Sequence, residues 1–332
     1  MNLVLLGAAL LAGSLLAVQA SSNLQLTKAV GTPFGASTVQ LSVAAALLAV
    51  LAVATGTIGS VGRAWDVPMW QLLGGLASPL YITSGILLFP RLGALSAVAL
   101  FVTGQMLASV GLDLSGLLGV PQRSLTVVMA TGVTGVLAGI ALIIRGQRPA
   151  AGRPAPGVVR LRAGSAPQTV NRSETLTRLP IVHAGWMLLG LLAGAALPAQ
   201  GAVNAQLRAN LQAPLAVALI SFVVATFAIA AVLLVLLAAN ATPVPTLQPA
   251  TRMPWWGWLG GACAVAYVTG TFMLIPEIGA ATTVALTVTG QQLASAVIDG
   301  RGLFRMPRRT LAPSRLAGMV MLIAGSMLIQ FA

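Results

Sequence analysis

Ten stretches of mostly apolar residues recur along this chain of 332 residues, from its beginning to its end. Each is close to the roughly 20 residues that a helix needs to cross the hydrocarbon core of a bilayer. Hydrophobic residues make up 57% of the chain and charged residues 7%, a balance that water-soluble domains avoid. We therefore predict an all-α, multi-pass membrane protein of about ten transmembrane helices, at 3–20, 36–57, 70–89, 93–112, 124–144, 181–199, 214–238, 256–275, 279–298 and 314–331.

The two halves of the chain repeat each other around an arginine-rich segment. The residue types of Gln19 and Asn23 recur 181 positions later, at Gln200 and Asn204. From the third helix onward the offset becomes 186, as in the pairs Tyr81 and Tyr267, Pro90 and Pro276, Gln105 and Gln291, Ser109 and Ser295, and Asp113 and Asp299. We predict a first five-helix repeat at 1–145, a linker at 146–179 and a second five-helix repeat at 180–332.

The number of helices in each half determines how the halves are oriented. Five crossings carry the chain to the far side of the membrane, and the linker has no apolar stretch that would bring it back. The second half must therefore run antiparallel to the first, which is the inverted-repeat arrangement of many secondary transporters. The repeat also favours a retained first helix over a cleaved signal peptide, because residues 1–20 have a counterpart inside the second half.

Positive charge predicts the orientation of the whole chain. Fifteen of the 18 Lys and Arg residues lie on the side of the linker, and Arg63, Arg123 and Arg208 lie on the other. By the positive-inside rule the linker is cytoplasmic and both termini face outward. The net charge of +13 would also suit nucleic acid, but these arginines sit in loops between apolar spans, so we expect the lipid bilayer and no nucleic-acid partner.

Two pairs of amides lie within the predicted spans or at their ends. Gln19 and Asn23 are four residues apart and share one helix face, and Gln200 and Asn204 repeat that spacing. Polar side chains in the membrane face a wet cavity or a neighbouring helix. Two interpretations stay open: the amides line a substrate pathway, or they hold helices together through hydrogen bonds.

A longer polar stripe follows the fourth helix of each half. In the first half Gln105, Ser109 and Asp113 are spaced by four residues and lie on one face. The same stripe recurs at Gln291, Ser295 and Asp299. These residues are candidates for the pathway, and the aspartates for a charge or coupling role. The alternative is a terminal carboxylate that is solvated or paired with arginine, for which Arg301 is the neighbour of Asp299.

Three further residues are candidates: two tyrosines at equivalent positions of the repeats, and one glutamate whose equivalent residue has the opposite charge. Tyr81 and Tyr267 match across the repeat, which makes them candidates for cavity lining. Glu277 occupies the turn position that Arg91 holds in the first half. The halves are antiparallel, so this acid and this base lie on opposite sides of the membrane and cannot pair. A charge or coupling role and a role in topology are both open for Glu277.

Catalytic and metal-binding patterns are absent from the sequence. The chain has five acidic residues, none of them in the middle of a span, and no phosphate-binding loop of the ATPase type. The one cysteine, Cys263, and the one histidine, His183, have no metal-ligating neighbours and are interpreted as structural. We expect no enzyme activity, no metal and no cofactor.

Several motifs resemble those of a known family. They are Pro-Ala-Gln-Gly-Ala-Val-Asn-Ala at 198–205, Trp-Leu-Gly-Gly at 258–261, Pro-Glu-Ile-Gly-Ala-Ala-Thr-Thr at 276–283, Gly-Gln-Gln-Leu-Ala-Ser at 290–295 and Ile-Asp-Gly-Arg-Gly-Leu at 298–303. With these motifs the chain resembles the fused two-repeat form of the YdcZ-type inner-membrane exporters of the drug/metabolite transporter superfamily. The resemblance covers nearly the whole chain outside the linker.

The resemblance implies a ten-helix transporter fold in the bacterial cytoplasmic membrane. Small multidrug exporters of the superfamily use a membrane-embedded glutamate in their first helix, where this chain has Gln19 and Gln200. We therefore expect a secondary transporter, and more specifically an exporter, of a small molecule, with a midplane cavity lined by helices one, four, six and nine. The alternative is a non-transport structural or regulatory subunit. A monomer and a homodimer are both compatible with the sequence.

Overall fold

The computed structural model of the protein describes residues 3–146, 172–246 and 253–332, without the side chains of 172–183, 272, 276, 280 and 281. These residues form ten long helices and no strand. We number them α1 Leu3–Val30, α2 Pro33–Ala54, α3 Ala77–Leu92, α4 Ala94–Ser115, α5 Val127–Arg145, α6 Arg172–Leu211, α7 Pro214–Ala238, α8 Leu259–Ile278, α9 Ala280–Arg301 and α10 Pro313–Phe331. Short helical turns at Met69–Leu72, Leu73–Leu76 and Trp255–Trp258 lead into α3 and α8.

Nine helical segments of the described residues are long and apolar enough to cross a membrane. The tenth helix, α9, is not among them, because Gln291, Gln292 and Asp299 lower its mean hydropathy. It has the same 22-residue length as α4, its counterpart in the first half. The prediction of an all-α, multi-pass membrane protein with about ten helices is confirmed.

Two helices extend beyond their predicted ends. The first was predicted at 3–20, but α1 continues to Val30 because its polar residues from Ser21 to Gln25 are buried inside the protein and not in lipid. The Gln25 amide, for example, donates to the carbonyl of Phe304 at 3.0 Å. The helix α6 begins at Arg172, within the predicted linker 146–179, and most of that linker lies outside the described residues.

The backbone itself repeats at equivalent positions. Gly93 and Gly279, which separate α3 from α4 and α8 from α9, have φ of 84° and 83°. Leu118 and Phe304, in the turns after α4 and α9, have φ of 56° and 54°. A positive φ is uncommon for a residue other than glycine, so its recurrence at matched positions reflects a shared local structure. The prediction of two repeats is confirmed.

Glycines let the first helix of each repeat pack closely against the fourth helix of the other repeat. A Cβ added to Gly13 of α1 would collide with the backbone of Thr287 in α9. A Cβ added to Gly194 of α6 would collide with the backbone of Phe101 in α4. These two contacts are equivalent, so each half inserts its first helix against the fourth helix of the other half. The result is a pseudo-two-fold axis between α1 and α6.

A second glycine contact joins the last helices of the two repeats. A Cβ on Gly132 of α5 would lie 2.8 Å from the carbonyl oxygen of Gly325 in α10, and one on Gly139 would lie 2.7 Å from that of Gly318. The four glycines are two equivalent pairs related by the same axis. Small residues let helix backbones approach closely in lipid, where apolar side chains gain little from leaving their solvent.

We predict that Gly13→Ala destabilises the protein, because the added methyl group has no space against the backbone of α9. Overpacking of this kind costs about 1–3 kcal/mol. Thermal unfolding in detergent should show a lower midpoint than for the unchanged protein. The matched control is Gly7→Ala on the same helix, where no described atom lies within 4 Å of the new Cβ. Equal midpoints for the two variants would contradict the packing described above.

Candidate functional site

A cavity lies on the pseudo-two-fold axis and is lined by matched residues from both halves. Gln19 faces it with Gln200, and Tyr81 faces it with Tyr267. Its volume is about 430 Å³, including the space open to solvent. The remaining described lining residues are Leu16, Ser78, Ile82, Leu197, Phe222, Ala264 and Val268.

The helices around this cavity differ in part from those expected. We predicted lining by helices one, four, six and nine, but the described lining comes from α1, α3, α6, α7 and α8. Gln105, Ser109, Gln291 and Ser295 are not among the lining residues. The Gln291 amide instead donates a hydrogen bond to the Tyr81 hydroxyl at 2.6 Å. The helix α9 therefore contacts a lining residue of the cavity without lining the cavity itself. A polar stripe identifies a helix face but does not determine which neighbour that face meets.

The two cavity glutamines have different surroundings. The side chain of Gln200 bonds with the Ser78 hydroxyl, with its Nε2 donating at 3.0 Å. Gln19 is 4% exposed, and its carbonyl oxygen has no hydrogen-bond partner among the described residues. A buried polar atom without a partner is unusual and calls for an explanation. The cavity therefore has an unsatisfied acceptor on one side of its axis.

The two asparagines of the predicted pathway pack between helices. Asn204 accepts a hydrogen bond from the Ser221 hydroxyl at 2.7 Å, and Asn23 donates to the Gln40 carbonyl at 3.2 Å. Ser221 and Gln40 are equivalent positions in α7 and α2. Of the two interpretations left open by the sequence, this geometry favours helix packing for the asparagines and cavity lining for the glutamines.

The polar stripes of α4 and α9 are equivalent in sequence and unequal in burial. Gln291, Ser295 and Asp299 are all buried. Their counterparts are each partly exposed, at Gln105, Ser109 and Asp113. The α9 stripe runs from the membrane centre toward the linker side, and the α4 stripe runs toward the opposite side. The α9 stripe is thus covered by protein along its length, whereas the α4 stripe is only partly covered.

Asp299 closes the linker side by capping another helix. Its carboxylate accepts hydrogen bonds from the backbone N–H groups of Ala94 at 2.8 Å and Leu95 at 3.1 Å, at the start of α4. It also forms an ion pair with Arg315 at 3.1 Å. A carboxylate at a helix amino terminus satisfies free N–H groups and interacts favourably with the helix dipole. We refer to Asp299, Arg315 and the amino end of α4 as the linker-side latch.

Arg309 adds a second contact at the same corner. Its guanidinium donates to the carbonyls of Pro90 at 3.4 Å and Arg91 at 3.2 Å, near the end of α3. A cation is favourable at a helix carboxyl end, where carbonyls lack helical partners. Burial lowers the pKa of Arg309, while Asp299 raises it and Arg315 lowers it further. The corner between α3 and α4 is held by opposite charges on its two helix ends.

The equivalent corner on the opposite side is open. A Cβ on Gly93 would lie 2.9 Å from the Asp299 carboxylate, whereas one on Gly279 has no described atom within 4 Å. Glu277 is exposed in this corner, and the structure does not bring it to the cavity. Met129 is the equivalent of Arg315, so Asp113 lacks the matching cation.

Two buried polar residues were not among the candidates from the sequence. Arg301 was the nearby arginine under the alternative of a solvated or arginine-paired carboxylate, but Arg301 is exposed and Arg315 forms the ion pair. A single arginine near the start of an apolar span was the signal available for Arg315. Gln292 is fully buried with both amide atoms unpartnered among the described residues, and only its place in the Gly-Gln-Gln motif drew attention to it.

A membrane-embedded inverted repeat with a cavity on its axis defines a class of architecture that secondary transporters use. The profile of the family described as "Putative inner membrane exporter, YdcZ" matches residues 4–142 and 185–328. These regions span more than half of the chain, which therefore belongs to this family of the drug/metabolite transporter type. The resemblance inferred from the sequence motifs is confirmed.

The fold also has a counterpart among solved structures. One structure, described only as the crystal structure of a protein, covers 98% of this chain and 96% of its own chain with a TM-score of 0.53 and 15% identity. At that identity the likeness concerns the fold alone. No curated protein matches the chain.

We predict that Arg315→Met, which installs the residue of the equivalent position, strongly destabilises the protein. It leaves the buried Asp299 carboxylate without its cation, and breaking such a pair costs about 3–5 kcal/mol. Thermal unfolding in detergent should show a much smaller loss for the exposed control Arg301→Met. Adding Asp299→Asn to Arg315→Met should recover part of the loss, because no buried charge then remains. Equal midpoints for Arg315→Met and Arg301→Met would refute the ion pair.

Proposed function

We infer that the protein is a secondary transporter that moves a small molecule across the bacterial cytoplasmic membrane by alternating access. The observation that carries this proposal is the unequal burial of the two equivalent polar stripes. One sequence pattern is present in two conformations within a single chain. An inverted repeat can exchange those conformations between its halves, which converts an opening on one side into an opening on the other.

The proposed cycle uses the linker-side latch as one of two alternating closures. With Asp299 on the amino end of α4, the central cavity is closed toward the linker and accessible from the opposite side. In the other state the halves exchange roles, and Asp113 would approach the amino end of α9. With the linker in the cytoplasm, as the positive-inside rule predicts, the conformation described above would be the outward-open state of the proposed cycle.

Export is the direction that the family membership favours, and the chain offers no ATP-binding loop for pumping. The same membership supports transport over catalysis. A non-transport subunit remains the alternative candidate, and it makes a different prediction. A protein that only packs against partners needs one conformation, so its two equivalent stripes would keep fixed and unequal exposure.

Cysteine accessibility at equivalent positions tests the alternation. Ala20 on α1 packs beside Gly85 of α3, whereas its counterpart Gly201 on α6 is exposed with no described atom near an added Cβ. In a Cys263→Ala background reconstituted in nanodiscs, Gly201→Cys should react with a maleimide faster than Ala20→Cys. Adding Asp299→Asn should raise the rate at position 20 and lower it at position 201, because the latch loses its ion pair with Arg315.

The expected change in the ratio of labelling rates depends on the free energy of the latch contacts, since about 1.4 kcal/mol shifts a two-state equilibrium about tenfold. We therefore expect Asp299→Asn to change the ratio of the two rates by about tenfold or more. Asp66→Asn, in the exposed turn before α3, is the matched control and should leave the ratio unchanged. Rates that rise together at both positions would indicate loosening of the fold, and unchanged rates would indicate a static protein; either result contradicts alternating access.

A further inference from the structure

We propose that the central cavity binds an uncharged organic molecule that carries a hydrogen-bond donor, such as a hydroxyl or carboxamide group, on an apolar body. This assignment deepens the proposed transport function and rests on it for its biological meaning. Three properties of the cavity support it: the charge of its lining, the hydrogen-bonding groups that its lining leaves free, and the apolar surface that surrounds them.

The described lining contains no charged side chain. Its polar members are two glutamines, two tyrosines and Ser78, and the rest are apolar. The buried charged residues Asp299 and Arg315 form an ion pair with each other, and Asp299 also accepts a hydrogen bond at the amino end of α4. A charged group inside a membrane protein is stable only with a countercharge or abundant water. A ligand with a net charge would find no countercharge among these residues.

The unsatisfied carbonyl oxygen of Gln19 specifies a donor on the ligand. Gln19 lines the cavity, and its carbonyl oxygen is buried without a partner, so a ligand donor would reach this acceptor once the side chain turns toward the cavity. An unmade hydrogen bond at a buried group is unfavourable, and a ligand donor would remove that penalty. The equivalent glutamine, Gln200, is already bonded to Ser78. The two sides of the axis therefore offer different hydrogen bonds in this state.

Tyr81 offers the complementary group. Its hydroxyl oxygen accepts a hydrogen bond from the Gln291 amide, which leaves the hydroxyl hydrogen able to donate to an acceptor on the ligand. A ligand hydroxyl can donate to Gln19 and accept from such a donor at the same time. The aliphatic and aromatic wall, formed by Leu16, Leu197, Phe222 and Val268 among others, suits an apolar body.

Four probes of nearly equal size separate these contributions. They are 2-phenylethanol, which is neutral with a donor; ethylbenzene, which is neutral without one; 2-phenylethylammonium, a cation; and phenylacetate, an anion. Binding to the purified full-length protein is measured by ligand-detected NMR and by the shift of its unfolding temperature. We expect the alcohol to bind, both ions to bind at least about tenfold more weakly, and ethylbenzene to bind several-fold more weakly than the alcohol.

The variant Gln19→Leu should abolish the preference for the alcohol over ethylbenzene, and the control Gln206→Leu, on α6 but outside the cavity lining, should retain it. Absence of alcohol binding, ion binding within threefold of the alcohol, or a preference that survives Gln19→Leu would overturn the assignment. The four-probe comparison on the unchanged protein stays decisive if Gln19→Leu does not fold. Failure here would leave the labelling test of alternating access unaffected, so the two proposals can fail separately.

Discussion

The carboxylate of Asp299, buried at the amino end of α4, is the contact on which the closed side of this structure depends. It satisfies two backbone N–H groups of a helix from the other repeat and neutralises Arg315 at the same time. Inside a membrane protein no bulk water is available to hydrogen-bond with these groups, so separating them without an alternative partner is unfavourable in free energy. The geometry around Gly93 supports the contact, since a side chain there would collide with both Asp299 and Arg309. One carboxylate thereby joins the two repeats at the linker-side corner.

The sequence makes the two closures similar but not equal. Asp113 and Arg123 repeat Asp299 and Arg309, and the carbonyls of both aspartates accept from the backbone N–H of the matching arginine, at 2.7 Å and 2.8 Å. Met129 in place of Arg315 removes the ion pair from the opposite side. The linker-side corner therefore has an ion pair for which the opposite corner has no equivalent residue. In the account proposed here, ligand binding must offset this difference before the halves can exchange roles.

The repeat and the ten-helix fold were predictable, because matched residues and apolar length are both visible in one sequence. The length of α1 was not, since its polar residues from Ser21 to Gln25 look like a loop until other helices bury them. Arg315 was missed because its repeat counterpart is apolar and Arg301 is closer in sequence to Asp299. The cavity is lined by α3 and α8 because of how each helix is rotated about its own axis, and hydropathy does not determine that rotation. The asymmetry of the latch rests on the unmatched residues Arg315 and Met129, and the repeat pattern alone does not show that Arg315 reaches Asp299.

Distances between equivalent label pairs test the central claim of alternation most directly. Arg91 and Arg308 are exposed on the linker side, and their repeat counterparts, Glu277 and Gln122, are exposed on the opposite side. Spin labels on each pair, in a Cys263→Ala background in lipid, give distance distributions by pulsed electron double resonance. The account predicts a short distance for the first pair and a longer one for the second, and it predicts that Asp299→Asn lengthens the first while shortening the second. Distances that change in the same direction, or that do not respond to Asp299→Asn, would contradict it.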